Sequence, residues 1–193
     1  MIKTIIFDFD GTLADCKQLH QDAFREAMQQ LCPGSDYRDA DIEGRPTTEK
    51  IKIMHIMGHE FNGDKLNEIK QSITQDNLHK YVIYNDELYS EMLRLSKKYK
   101  LCLASNATDK FVHESLKILK IEDFFLKINT ATNYPPKPDP ITFLDCMKET
   151  GSASSTTIIF EDSEVGIQGA KSVTYNVIEV IDVEDTINEM RKL

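Results

Sequence analysis

Short apolar runs that stop abruptly at polar clusters limit what this chain can fold into more than any other feature. The first, Thr4 to Phe9, is rich in isoleucine and aromatic residues and is broken at once by Asp10-Gly11. Similar runs recur at Lys100 to Ala104, Phe125 to Ile128, Thr156 to Phe160 and Tyr175 to Val180. The first run is apolar on both faces, which reads as a strand buried on both sides, the usual state of a parallel strand. If the runs are parallel strands, Asp8-Phe9-Asp10-Gly11-Thr12, Ser105-Asn106, Lys137-Pro138-Asp139 and Glu161-Asp162-Ser163 converge at their carboxyl ends, where open α/β sheets bind ligands.

Helical periods fill the intervals. Leu88, Met92, Leu95 and Tyr99 make one stripe, and Val112, Leu116 and Leu119 make another after Thr108-Asp109. Residues 139–149 fit a third helix, with Leu144 and Met147 facing inward and Gly151 as its stop. Strand and helix alternate, which predicts a three-layer, Rossmann-like α/β fold with a parallel sheet covered on both faces. Residues 15–84 depart from this pattern. Leu19, Ala23 and Ala27, with Phe24 and Met28, predict a helix to Leu31, which Cys32-Pro33-Gly34-Ser35 breaks. Further helices are expected over Thr48 to Met57 and Asp64 to about Leu78, the latter with Leu66, Ile69 and Ile73 on one side. The expected organisation is a discontinuous core domain, 1–14 and 85–193, carrying a small inserted helical cap, 15–84. Inserted directly after the first strand, such a block is expected to sit above that strand's end as a lid.

Composition narrows the function classes. With 32 acidic and 23 basic side chains the formal charge is -9, so no cationic surface is expected for nucleic acid or an anionic membrane. Small soluble molecules are the expected partners, with the chain a monomer or a weak homodimer. Cys16, Cys32, Cys102 and Cys146 form no CxxC pair, which points away from zinc knuckles and redox dithiols. No basic leader precedes Ile2-Lys3-Thr4-Ile5, and no apolar run approaches about 18 residues, so a cytoplasmic location is the expectation.

The clusters carry the chemistry. On an extended strand Asp8 and Asp10 share a face, and two carboxylates so close need a cation or a proton to offset their repulsion. Magnesium suits such a site, because it prefers oxygen ligands and is often held by one or two carboxylates plus substrate phosphate. Gly11 permits a tight exit from the strand, and Thr12 can turn its hydroxyl to the loop or to a phosphoryl oxygen. Lys137, set among Pro135, Pro136, Pro138 and Pro140, lies on a stiff, extended loop. Each residue also has a plainer reading: aspartates turn chains after strands, Ser105 and Asn106 cap helices, and a lysine can be merely solvated. Asp139 is expected to cap its helix, and Gly166 to be a close-packing position.

Asp8-Phe9-Asp10-Gly11-Thr12-Leu13 resembles the first motif of the haloacid dehalogenase-like hydrolases, and the other clusters resemble the remaining motifs in the same order, from Ile2 to about Ala170. The resemblance implies that Asp8 is a nucleophile forming an aspartyl-phosphate and that Asp10 is acid toward the leaving oxygen and base toward water. It implies that Ser105, with Asn106 beside it, binds a phosphoryl oxygen, and that Lys137 neutralises phosphate and orients the nucleophile. Glu161 and Asp162 would complete a Mg2+ site with Asp8 and Asp10. A helical insert between the first and second motifs is similar to the helical-cap subgroup of phosphatases and phosphomutases. In the insert, His20 resembles a histidine of the sugar phosphomutases, and Arg45 is a candidate for binding a substrate anion.

These features together predict a magnesium-dependent phosphatase for a small phosphomonoester, a sugar or hydroxyacid phosphate. The alternatives are a sugar phosphomutase of the beta-phosphoglucomutase type and an inactive binding protein, against which the complete set of motifs argues.

Overall fold

Parallel strands cannot be joined by hairpins, so each pair in this chain is bridged by helix. The computed structural model describes residues 1–38, 42 and 47–193. Five strands form one parallel sheet: β1 (Thr4–Phe7), β2 (Lys100–Ser105), β3 (Phe125–Thr130), β4 (Thr157–Glu161) and β5 (Val177–Glu179), in the order β3-β2-β1-β4-β5. The helices are α1 (Lys17–Leu31), α2 (Thr47–Ile56), α3 (Gly63–Tyr81), α4 (Asp86–Ser96), α5 (Asp109–Leu119), α6 (Ile141–Thr150), α7 (Glu164–Val173) and α8 (Val183–Met190). From β1 the chain proceeds outward through β2 to β3, then returns to the other side of β1 for β4 and β5. The reversal makes the β1/β4 edge a topological switch point, the place where α/β sheets open a crevice beyond their carboxyl ends.

Both faces of the sheet are covered, as the apolar runs required. Ile6, Cys102, Ala104 and Ile159 share one face and pack with Phe143, Cys146 and Met147 of α6 and Ala170 of α7. Because side chains alternate along a strand, Ile5, Phe7, Leu101, Leu103, Ile158 and Phe160 point to the opposite face, where they are also buried. There Phe7 stacks on Phe160 with ring centroids 4.9 Å apart. Burying Phe7 alone is worth about 1.5–3 kcal/mol, so a polar residue at this position would undermine the strand that presents Asp8.

The strands are shorter or shifted relative to the apolar runs. β1 stops at Phe7, because Phe9 is drawn into a turn, and β5 covers only Val177–Glu179, leaving Tyr175 fully exposed. In α6 the inward face differs from the expected one: Leu144 is exposed, while Phe143, Cys146, Met147 and Thr150 are buried. The loop delivers the chain so that the first buried contacts fall at Thr142 and Phe143, which turns Leu144 outward. Met57 lies at the surface, whereas Met54 is core.

Residues Cys16–Tyr81 cluster as a separate helical unit, and Met1–Asp15 with Val82–Leu193 form the other. The inserted unit has its own core of Phe24, Ala27, Met28, Met54 and Leu66, to which Ile42 adds.

Candidate active site

Asp8 lies one residue beyond β1, and its N–H donates to the Phe160 carbonyl at 3.0 Å, which ties the end of β1 to the end of β4. The chain then turns sharply. The Phe9 carbonyl accepts from the N–H groups of Thr12, Leu13 and Ala14 at 3.3, 2.8 and 3.1 Å. Gly11 takes φ +91°, a left-handed conformation, and a Cβ there would run into the Asp162 carboxylate. Glycine is thus required twice over, by backbone conformation and by the approach of an acidic side chain.

Lys137 reaches this point from the loop between β3 and α6. Its Nζ donates to Asp8 Oδ1 and to Glu161 Oε1, and the three side chains are 2%, 9% and 0% exposed. The Phe143 ring lies under the ammonium, 5.3 Å from its centroid. Glu161 is occupied at both oxygens, since Oε2 accepts from the N–H and the hydroxyl of Ser163, each at 3.0 Å. Ser163 in turn accepts from Gly166 N–H at 3.2 Å, so one serine caps α7 and clamps Glu161. Gly166 leaves room for that carboxylate, which an added Cβ would overlap. Expected as a close-packing position, Gly166 packs against a residue of the site.

Charge is unbalanced here. Among the described residues, three carboxylates, Asp8, Glu161 and Asp162, face a single ammonium. Burial pushes the Asp8 carboxyl well above the usual carboxylate range; Glu161 and Asp162 push in the same direction, and Lys137 pulls against them. Burial alone would lower Lys137, but Asp8 and Glu161 outweigh it and lift the ammonium above its ordinary value. Asp162 is raised to about 6, by burial first and then by the charges of Glu161 and Asp10.

Among the described residues, oxygens of Asp8, Glu161 and Asp162 lie within 4.8 Å of one another and are able to hold a metal ion. The fit is supported by an orphaned atom: Asp162 Oδ1 is buried without a hydrogen-bond partner among the described residues. An all-oxygen set of this charge suits a hard divalent cation.

The remaining sequence candidates are distributed as follows. Asp10 is half-buried in the turn, and its carboxylate is outside the set of oxygens named above. Thr12 is wholly buried, and its Oγ1 has no hydrogen-bond partner among the described residues. Ser105 ends β2, buried, with Oγ accepting from Ala107 N–H at 3.1 Å. Asn106 is exposed and its Oδ1 accepts the Lys137 backbone N–H at 2.7 Å, so it joins the second cluster to the third. Expected as the cap of its helix, Asp139 instead lies one residue before the cap position, which is Pro140 and has no side-chain cap bond; its Oδ1 accepts from Ile141 N–H at 3.0 Å. His20 belongs to the helical unit, where its Nδ1 is 3.2 Å from Nζ of buried Lys70. Arg45 lies outside the described residues. The clamp on Glu161 escaped sequence reasoning, although Ser163 stands in the cluster that follows the fourth apolar run.

A parallel sheet whose switch point presents an aspartate, a buried lysine and an acidic pair defines a class of enzyme, and the chain belongs to the haloacid dehalogenase-like hydrolases, whose family model matches residues 5–180. The phosphorylated carbohydrates phosphatase of Thermotoga maritima is 25% identical, over 100% of this chain and 90% of its own length. The beta-phosphoglucomutase of Bacillus subtilis is also 25% identical, over 89% of this chain and 80% of its own. The crystal structure of beta-phosphoglucomutase from Clostridium difficile shares the fold with a TM-score of 0.78 at 23% identity, covering 96% of this chain and 87% of that one.

Proposed function

We propose that the protein is a magnesium-dependent phosphatase that hydrolyses a small phosphomonoester, a sugar or hydroxyacid phosphate, through an aspartyl-phosphate on Asp8. The observation that carries this reading is the buried contact of Lys137 with Asp8, beside the orphaned oxygen of Asp162. Phosphoryl transfer needs a positioned nucleophile and cationic groups around the phosphate oxygens more than elaborate covalent chemistry.

In the first step an Asp8 carboxylate oxygen attacks phosphorus, the ester P–O bond breaks, and Asp10 gives its proton to the leaving oxygen. In the second, water attacks the phosphorus of the aspartyl-phosphate and passes its proton to Asp10. Inorganic phosphate leaves, and both aspartates return to their starting states. Lys137 holds Asp8 in line and offsets charge on the phosphoryl group. Ser105 accepts a backbone N–H at Oγ, which leaves its hydroxyl proton for a phosphoryl oxygen. Asn106 spends Oδ1 on Lys137, so its amide NH2 is the end assigned to phosphate, with the Thr12 hydroxyl as a further donor. Asp8 and Asp162 would hold the magnesium ion, assisted by Asp10 and Glu161, and when bound it supplies positive charge against the phosphoryl oxygens. We assign Arg45 to a substrate anion.

A relative that acts on phosphorylated carbohydrates supports the substrate class. The test is turnover of a panel of phosphomonoesters with and without magnesium, compared with Asp8→Asn. Activity that survives the substitution rejects the nucleophile, and activity indifferent to chelation rejects the metal. A second reading, a sugar phosphomutase, is favoured by one observation: a beta-phosphoglucomutase is among the relatives, at 25% identity over 89% of this chain. Formation of glucose 6-phosphate from beta-glucose 1-phosphate and its bisphosphate would decide for the mutase.

A further inference from the structure

The site depends on one lysine at the middle of a surface loop, and a lysine on a free loop would lose its geometry to side-chain and backbone entropy. The loop from Ala131 to Pro140 is held in an unusual way. Pro135, Pro136 and Pro138 are exposed and Lys137 between them is buried, so the segment is a strap that carries the reacting ammonium inward from an exposed run. At one end of the strap, Tyr134 donates its hydroxyl to Asp145 Oδ2 at 2.7 Å. At the other, the Lys137 N–H is fixed by Asn106 and the Pro138 carbonyl packs beside Gly169, 2.9 Å from where a Cβ would stand.

Between the Tyr134 anchor and Lys137 stand only Pro135 and Pro136. Each proline locks its own φ and restricts the residue before it, so the position of Tyr134 is transmitted to Lys137 with few soft torsions in between. Asp145, on α6, is itself immobilised: Lys127 Nζ lies 3.2 Å and Asn129 Nδ2 3.3 Å from the oxygen that Tyr134 uses. Lys127 and Asn129 are two apart on β3 and therefore face the same way, so the anchor is built on the sheet. The Tyr134 hydrogen bond, aided by Lys127 and Asn129, holds the Asp145 carboxyl below its usual range, which keeps this a charge-assisted bond at neutral pH.

We propose that Tyr134 and Asp145 are positioning residues for the phosphoryl-transfer reaction, acting by fixing the diproline strap that presents Lys137 to Asp8. The inference rests on the proposed phosphatase activity for its kinetic arm and has a second arm that does not. Losing a hydrogen bond to a charged acceptor corresponds to a roughly ten- to hundred-fold shift in a local opening equilibrium. Tyr134→Phe keeps the ring and removes only the hydroxyl. It should lower kcat by roughly ten-fold at nearly unchanged KM, because a small misplacement of a reacting group affects the transition state more than substrate binding. Asp145→Asn retains a neutral acceptor and should show a smaller loss of the same kind. In parallel, Lys137 in the magnesium-free protein should be acetylated by an amine-reactive ester about ten-fold faster in Tyr134→Phe than in the wild type, read by peptide mass spectrometry, with the lysines other than Lys127, which shares Asp145, unaffected. A wild-type kcat or a wild-type Lys137 labelling rate in Tyr134→Phe overturns the inference. Should the wild type hydrolyse no phosphomonoester, the proposed function falls, and the labelling rate alone judges the strap.

Discussion

Replacing Lys137 by methionine, which keeps an unbranched side chain one atom shorter and removes its charge, tests the electrostatic account of the site most directly. In the native protein the ammonium touches Asp8 and Glu161, and all three groups are almost wholly buried. At an effective dielectric of about 20, each contacting pair is worth roughly 4 kcal/mol of attraction, much of it offset by taking the ions out of water. Without the lysine, two buried carboxylates face each other with Asp162 nearby, and removing one partner of a buried pair typically costs about 3–5 kcal/mol. For a chain of 193 residues this corresponds to a fall in Tm of about 6–20 °C at pH 8 in a chelating buffer. The loss should shrink as pH falls toward 5, because a proton on one carboxylate does part of what the ammonium did, and it should shrink on addition of magnesium for the same reason. Thermal denaturation across pH, with and without the ion, reads all of this. A Tm at pH 8 within about 2 °C of the wild type would show that the carboxylates do not need the lysine, and the charge argument would be lost.

Other outcomes follow from the same geometry. Asp8→Asn should abolish turnover yet raise the magnesium-free Tm at pH 8, since burial and its acidic neighbours make the Asp8 charge unfavourable in the fold; a lowered Tm would contradict that. Asp162, lifted to about 6 from an ordinary 3.8, binds its proton more tightly folded than unfolded. The stability of the magnesium-free wild type relative to Asp162→Asn should therefore be greatest below pH 4 and decline as pH rises through about 6, with urea titrations at several pH values as the measure. Gly166→Ala forces a methyl group into the Glu161 carboxylate and should cost about 1–3 kcal/mol while weakening magnesium-stimulated turnover; an unaltered denaturation curve would argue that Glu161 has another place to go.

The candidate site was legible because its chemistry is borne by residue types that have little reason to occur at the ends of apolar runs. Short continuous apolar runs, the pattern of strands buried on both faces, place Asp8, Ser105 and Glu161 at strand ends without any knowledge of tertiary structure. The alternation of strand and helix was enough for the layer architecture. What was not legible depends on contacts between distant elements. The outward turn of Leu144 is set by where the chain leaves the strap, and no stripe of apolar residues records that phase. Tyr134 and Asp145 are eleven positions apart, on a loop and a helix, and read singly as surface polar residues. Asn106 was legible as a polar residue beside a phosphate site, but its use on the Lys137 backbone needs the two loops to meet.

Strand order also has a consequence for synthesis. β1 is made first, yet it becomes an interior strand only when β4, beginning at Thr157, arrives to lie along its second edge. Until then a ribosome-bound chain displays an isoleucine-rich ribbon with one row of backbone donors and acceptors unsatisfied, the kind of edge along which chains stick together. A premature stop between β1 and Thr157 would therefore release a sticky fragment instead of a smaller, quieter protein.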